Sequence, residues 1–314
     1  MKNIAIIFLL MGCAACTPKP QVDDTVSTKY VHQYGVELAS ETDWVARGAS
    51  GEIVRTQKDG VTLRECYVQG NLHGISTTTF PHQNTVAKSA HFEDGVLIEE
   101  IFYYQAGTPS SKKTYHQENR VHILAWYEDG TPRASEEYAG ELLKNAEYFT
   151  ISNDKESIVS KGCGTRTCRD KLGHIIARDT IEMGTLVLQE TYHPNGTPSA
   201  HIPYSNGKIH GICKRFCAGG EPKSIEEWHE GVLHGSVQHF QNGQLVATVP
   251  YSYGQKHGIE KHFQDSASMV VEEIHWSHDQ RHGPSLCMID GQKIVDWYYE
   301  GKKVPKSQFV AKGH

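Results

Sequence analysis

Gly207-Lys208-Ile209-His210-Gly211-Ile212-Cys213-Lys214-Arg215-Phe216-Cys217-Ala218-Gly219-Gly220, continuing Glu221-Pro222-Lys223-Ser224-Ile225-Glu226-Glu227-Trp228-His229-Glu230-Gly231-Val232-Leu233-His234-Gly235, decides the fold. Turn glycines stand at 207, 220 and 231, and each stretch between them carries one ring, Phe216 or Trp228. Glycine enters positive φ without a side-chain clash, which a tight reversal between two strands requires. Two reversals so close together leave room for strands and none for a helix of ordinary length.

Working outward, the first kind of turn recurs at Gly60, Asn84, Gly107, Gly130, Gly173, Gly196, Gly220, Gly243 and Gly291, mostly 23 to 25 residues apart. Two gaps break the spacing: 43 residues after Gly130, and 48 after Gly243, where a turn is expected near Ser266. A second turn follows ten to twelve residues later, at Gly70, Gly95, Gly140, Gly184, Gly207, Gly231, Gly254 and Gly301. Five such turns run into a His-Gly pair: His73-Gly74, His210-Gly211, His234-Gly235, His257-Gly258 and His282-Gly283. A fixed period with two turns per period is the mark of a β-hairpin repeat array.

Aromatic residues recur every 11 to 13 positions: Tyr67, Phe80, Phe92, Tyr104, Tyr115, Tyr127, Tyr138 and Phe149, then Tyr192, Tyr204, Phe216, Trp228, Phe240, Tyr251, Phe263 and Trp276. One ring per strand is expected to form a cross-strand ladder that holds neighbouring strands together. The fold class expected is all-β: an elongated, single-layer, twisted antiparallel meander of about ten hairpin repeats. At roughly 9 to 10 Å per hairpin it spans something near 100 Å before curvature.

Gly-x-Leu-His-Gly followed by a ring, alternating with turns such as Tyr192-His193-Pro194-Asn195-Gly196, resembles the MORN-repeat variant of YwqK-like proteins over about Asp59 to Gly301. The resemblance implies a twisted sheet of successive hairpins without an enzymatic centre. It also implies a protein-binding, membrane-associated or antitoxin (immunity) role.

The ring pattern lapses between Phe149 and Tyr192, where Gly162-Cys163-Gly164-Thr165-Arg166-Thr167-Cys168 sits. An irregular unit with a longer loop is expected over 150–190, with Ile158, Val159, Ile175, Ile176 and Leu186–Leu188 carrying the core across it. Cys163 and Cys168 flank the expected loop, so a local disulfide between them is expected. Cys213 and Cys217, four residues apart on one strand, stand about 13 Å from each other and cannot pair.

The 19 histidines raise the question of a metal. Turn histidines recurring once per unit stand two strands, about 9 to 10 Å, apart, too far to share one ion. His229-Glu230-Gly231-Val232-Leu233-His234 only superficially resembles a zinc-protease signature, because Gly231 places it on a turn rather than a helix. No metal, no cofactor and no catalytic residue is expected. A Gly-x-Ser-x-Gly elbow, a phosphate-cradling loop before a helix and a distinctive carboxylate pair are all missing from the sequence.

The N-terminal apolar run Ile4–Met11 ends at Gly12-Cys13-Ala14-Ala15-Cys16. Leu10-Met11-Gly12-Cys13 resembles a bacterial lipoprotein signal box, which makes 1–12 a signal peptide and Cys13 the lipidation site, with Cys16 the alternative. Neither cysteine is followed by Asp, and resemblance to diderm lipoproteins then implies sorting to the outer membrane, facing the periplasm or the surface. Residues 13–45, polar and without period, are expected to form a tether, 46–304 the repeat domain, and 305–314 a charged C-terminal tail. Thirty-one Lys+Arg against 37 Asp+Glu, a net charge of −6, give no field for gripping nucleic acid. The expectation is a non-enzymatic, lipid-anchored envelope scaffold for protein partners, or alternatively an immunity-like protein that neutralises a secreted toxin.

Overall fold

A computed structural model describes residues 24–264, 269–289 and 291–312. The signal segment 1–12, Cys13, Cys16 and the turn expected near Ser266 lie outside them. The fold is all-β: the described residues hold 28 strands and two six-residue helices, and every strand pairing described is antiparallel. The chain divides into two units, Met1–Gly162 with Lys171–Gly173, and Cys163–Asp170 with His174–His314.

Within each unit the strands pair in sequence order as a hairpin meander. In the first unit Val86–Glu93 pairs with Val96–Tyr103, which pairs with Pro109–His116, which pairs with Arg120–Trp126. In the second, Pro222–His229 pairs with Val232–Gln241, which pairs with Gln244–Ser252.

The two turn classes read from the sequence are two different backbone devices. The second class is a two-residue turn with positive φ at both positions: Asp94-Gly95 at 47° and 82°, Glu230-Gly231 at 48° and 88°, Tyr253-Gly254 at 48° and 84°. That combination matches the right-handed twist of the flanking strands. Where the glycine is lacking, Glu118-Asn119 and His278-Asp279 adopt the same positive φ values. The first class is a longer loop closed at both ends by backbone bonds, as in Gly130 N–H to Tyr127 O (3.0 Å) and Tyr127 N–H to Thr131 O (2.9 Å).

One face of each unit carries a central column of directly opposed residues. In the first unit it runs Ile53, Glu65, Ser76, Ala90, Glu100, Lys113, Ile123, Glu136, Ala146, Val159. In the second it runs Arg166, Asp179, Gln189, Ile202, Cys213, Glu226, Val237, Val249, Glu260, Ile274. Most small and aliphatic members are buried, Ile123 only partly, and buried carboxylates recur among them.

The rings do not form the expected ladder. Each sits at or just past the C-terminal end of its strand, and successive strands run in opposite directions, so successive rings lie at opposite margins. Directly across from them stand mostly aliphatic or glycine partners, as where Phe92 faces Leu97 and Gly74 and Trp228 faces Leu233 and Gly211, although Tyr251 faces Lys256 and Trp276 faces Arg281. A one-residue shift in register falls immediately before many rings, as at His91/Phe92, Arg215/Phe216 and His239/Phe240. Such bulges re-aim a side chain and strengthen the local twist.

The irregular unit expected over 150–190 is regular instead. Thr150–Asn153 supplies the missing turn, closed by Asn153 N–H to Thr150 O (2.9 Å), and strands Lys155–Ser160, Cys163–Arg169, Ile175–Glu182 and Thr185–Tyr192 follow. The same bulges recur at Cys168/Arg169 and Thr180/Ile181, with Arg169 and Ile181 in the places where rings stand elsewhere. Of the residues expected to carry the core here, Val159 is buried at 1% exposure, whereas Ile158 is 50% exposed.

Both ends of the described chain depart from expectation. Of the tether expected over 13–45, residues 13–23 lie outside the described ones; within 24–45, Thr25–His32 pairs with Gly51–Gln57, and a helix Glu41–Ala46 starts on a Ser40 cap that accepts from Asp43 N–H. Its Trp44 is buried against Tyr30 and Tyr67. The stretch reads as polar because half of its edge strand is exposed. Instead of a loose tail over 305–314, helix Lys306–Ala311 packs Phe309 onto Trp297 at 5.1 Å and His282 at 5.5 Å. Six residues are too few to show a helical period in a sequence.

Candidate functional site

The His-Gly pairs follow the two-residue turns and lie along the same margin. Four of the histidines turn Nδ1 towards the backbone of the next tight turn on that margin. His73 accepts from Asp94 N–H (3.4 Å), His210 from Glu230 (3.4 Å), His234 from Tyr253 (3.3 Å) and His282 from Glu300 (3.5 Å). Alongside each, the following glycine donates its N–H to the residue before the histidine: Gly95 to Leu72, Gly231 to Ile209 and Gly254 to Leu233 (2.8 Å each), Gly301 to Arg281 (2.9 Å). The donors bonding Nδ1 have φ near +50°, so the tight turn aims two successive N–H groups at its neighbour. These bonds are long for the imidazoles and good for the carbonyls, and the carbonyls carry more of the tie. Of the repeat-turn residues His73, Gly74, His210, Gly211, His234, Gly235, His257, Gly258, His282 and Gly283, the histidines 73, 210, 234 and 282 therefore help to hold one hairpin to the next, whereas at His257 the tie runs through Lys256 and Asp279.

The glycine of each pair has φ in the left-handed region, between +87° and +110°. Gly235 has φ +108°, and a Cβ there would stand 2.0 Å from Glu227 Oε2. It also lies directly across from Tyr251, leaving room beside the ring.

Sequence reasoning spaced the turn histidines by two strands and missed what the intervening strand brings. His229, at the end of Pro222–His229, enters between His210 and His234, with ring centres 4.9 and 6.0 Å away. The row continues from His234 to Tyr253 at 4.8 Å. A second pair, His257 and His278, stands at 5.0 Å. The signal was present in the sequence, as a histidine just before the tight-turn dipeptide opposite a His-Gly pair.

The buried carboxylates of the central column are individually neutralised. Glu100 takes Tyr115 Oη–H at 2.6 Å and an ion pair from Lys88. Burial pushes its carboxyl up, but those two hydrogen bonds outweigh burial and hold it below the usual range. Glu226 behaves likewise, with burial opposed by Ser224, Arg215 and Trp228, and Glu260 with Lys256 and His262. In the stretch without rings, Asp179, 1% exposed, accepts from Arg166 Nε (2.9 Å) and Nη2 (2.7 Å) and from Gln189 Nε2 (3.1 Å). The charges described have partners, so these positions of the column work as interior.

The disulfide expected between Cys163 and Cys168 is excluded by geometry. Both lie on the strand Cys163–Arg169, where five residues of extended chain separate their Cα atoms by about 16 Å, against the roughly 7 Å limit. No loop lies between them; the strand runs through. Cys213 is fully buried beside Ala200 and Ile202, and burial raises its thiol to about 11, while Cys217 is exposed in the next turn.

The face opposite the column is open to solvent. In the first unit it carries a groove of about 470 Å³ lined by Ile75, Thr77, Ser89, His91, Ile101 and Tyr103. The residue after the His-Gly pair points to this side and is an exposed isoleucine three times: Ile75 at 60%, Ile212 at 57% and Ile259 at 42%. No protein-family model and no curated protein matches the chain.

Proposed function

We propose that this protein is a non-catalytic scaffold, tethered to the cell envelope by lipid on Cys13, with Cys16 the alternative, that binds protein partners through the open sheet face of each unit. The observation that carries the reading is the exposed isoleucine after His-Gly at Ile75, Ile212 and Ile259, set at the same place in each hairpin. Elsewhere on that face the exposed positions are largely polar or charged, among them Glu227, Ser236 and Lys214. Apolar points on a polar, repeating surface suit an extended partner that contacts one hairpin after another. The neutralised central column leaves no group poised for acid, base or nucleophilic work. Kinship with the MORN-like repeats of YwqK-type proteins is part of the same proposal and rests on the Gly-x-Leu-His-Gly turns.

Cross-linking in intact cells tests the reading. A defined partner should be captured by the wild-type chain and lost in the triple variant Ile75→Lys, Ile212→Lys, Ile259→Lys, which keeps its fold because all three side chains face water. Equal capture by both proteins removes the proposed surface, and a captured toxin turns the scaffold into an immunity protein. Cys13→Ser should abolish fatty-acid labelling and release the protein from membranes; labelling that persists moves the anchor to Cys16.

A further inference from the structure

The row of imidazoles is more than the hairpin tie needs. His210 and His234 make the tie, yet His229, His257 and His278 give no nitrogen to a neighbouring turn's backbone. His229, His257 and His278 are exposed, and His210 and His234 are partly so. Where Nδ1 accepts a backbone N–H, neutral imidazole carries its proton on Nε2, the nitrogen left facing solvent. Metal binding at Nε2 moves the imidazole proton to Nδ1, which then no longer accepts a backbone N–H, so His210 would exchange its bond from Glu230 for the metal, and the untied rings are the better first ligands.

The distances suit shared ligation. An imidazole nitrogen binds an ion at about 2 Å, which sets each ring centre about 3 Å from it and two rings at a tetrahedral angle about 5 Å apart. His210 and His229 stand at 4.9 Å with planes inclined by 51°, and His257 and His278 at 5.0 Å with planes inclined by 68°. Register explains the first pair: Gly211 lies opposite Trp228, which sets His210 opposite His229 on adjacent strands. Among the described residues no group of three or more His, Cys, Asp or Glu is arranged to hold an ion. Each pair therefore offers two protein ligands and leaves the remaining positions to water. His73 makes the contrast, having Asp94 Oδ1 at 3.3 Å and no second imidazole beside it.

We propose that His210 with His229, and His257 with His278, are two surface sites for a divalent transition-metal ion of the copper, nickel or zinc class, each bound by two imidazoles that neighbouring hairpins bring together at the turn margin. Imidazole suits these ions over magnesium or calcium, which prefer oxygen. The site is independent of the scaffold reading, since it occupies the turn margin and not the open face.

Zinc titration of the full chain, free of any polyhistidine tag and with its thiols alkylated, tests this by calorimetry and by imidazole ¹⁵N resonances. Expected are two ions per chain and zinc-dependent shifts at His210, His229, His257 and His278, with His73 unmoved. The double variant His229→Phe, His278→Phe keeps a ring at each place and removes the nitrogens, and should weaken binding at least tenfold without changing the urea midpoint. No saturable binding, shifts confined to other histidines, or undiminished binding by the double variant each overturns the proposal.

Discussion

Two stretches of the second unit share a backbone and differ in what fills it. From Cys163 to Tyr192 the central column holds Arg166, Asp179 and Gln189; from Gly211 to Ser252 it holds Cys213, Glu226, Val237 and Val249. Both are antiparallel hairpins with a bulge before the strand's last core residue. In one the bulged positions present Arg169 and Ile181, and in the other Phe216, Trp228 and Phe240. The turns and the register thus specify the fold, while the interior accepts apolar, polar and paired charged side chains alike. A stretch that has lost its rings compensates with a buried ion pair.

That compensation is where the comparison breaks most easily. Asp179→Ala leaves the Arg166 guanidinium, 24% exposed, without its carboxylate, and should lower the unfolding free energy by about 3 kcal/mol in a urea titration. Arg166→Met with Asp179→Leu should recover most of that loss, because an apolar pair avoids the desolvation of both ions. A double variant as unstable as the single one would mean that the pair fixes register as well as neutralising itself. In the ringed stretch the sensitive element is the turn. Gly235→Ala should lose about 2 kcal/mol, because φ +108° strains any side chain and its Cβ must displace Glu227. Gly196→Ala, at φ +83° with open space around it, should lose about 1 kcal/mol by the same measurement.

The same contrast shows what could be read in advance. Turn glycines and ring spacing carry the meander, because positive φ and period-two burial write themselves into residue type. The ring positions were legible but their contacts were not, since strand polarity sends consecutive rings to opposite margins. The regularity of 150–190 was hidden because Asn153 takes positive φ where other units place a glycine, and because the stretch carries no rings. The helices holding Trp44 and Phe309 were too short to register. The imidazole pairing needed the cross-strand register, which places His229 opposite His210 although 19 positions separate them in sequence.

Acid should act on the ringed stretch through its carboxylates. Glu226 and Glu260 sit below their ordinary values when folded, so the stability they contribute is present above about pH 4.3, the unfolded value, and is lost as pH falls through the lower, folded one. The urea midpoint should hold steady down to about pH 5 and then decline. Glu226→Gln should shallow that decline, and an unchanged slope would show that other carboxylates control it.

The smallest effect concerns reactivity and separates the two stretches without unfolding either. Cys163 and Cys217 are exposed, whereas Cys213 is fully buried with its thiol raised to about 11 by burial first and by nearby Glu226 second. Thiolate is the reactive form, and Cys213 has neither the charge nor the access. A thiol reagent at neutral pH should therefore label Cys163 and Cys217 within minutes and Cys213 only in denaturant, as peptide mapping would show. Rapid labelling of native Cys213 would mean that the strand Gly211–Phe216 opens locally, and the seam between Ala200, Ile202 and Cys213 would then be the weak point of the ringed stretch.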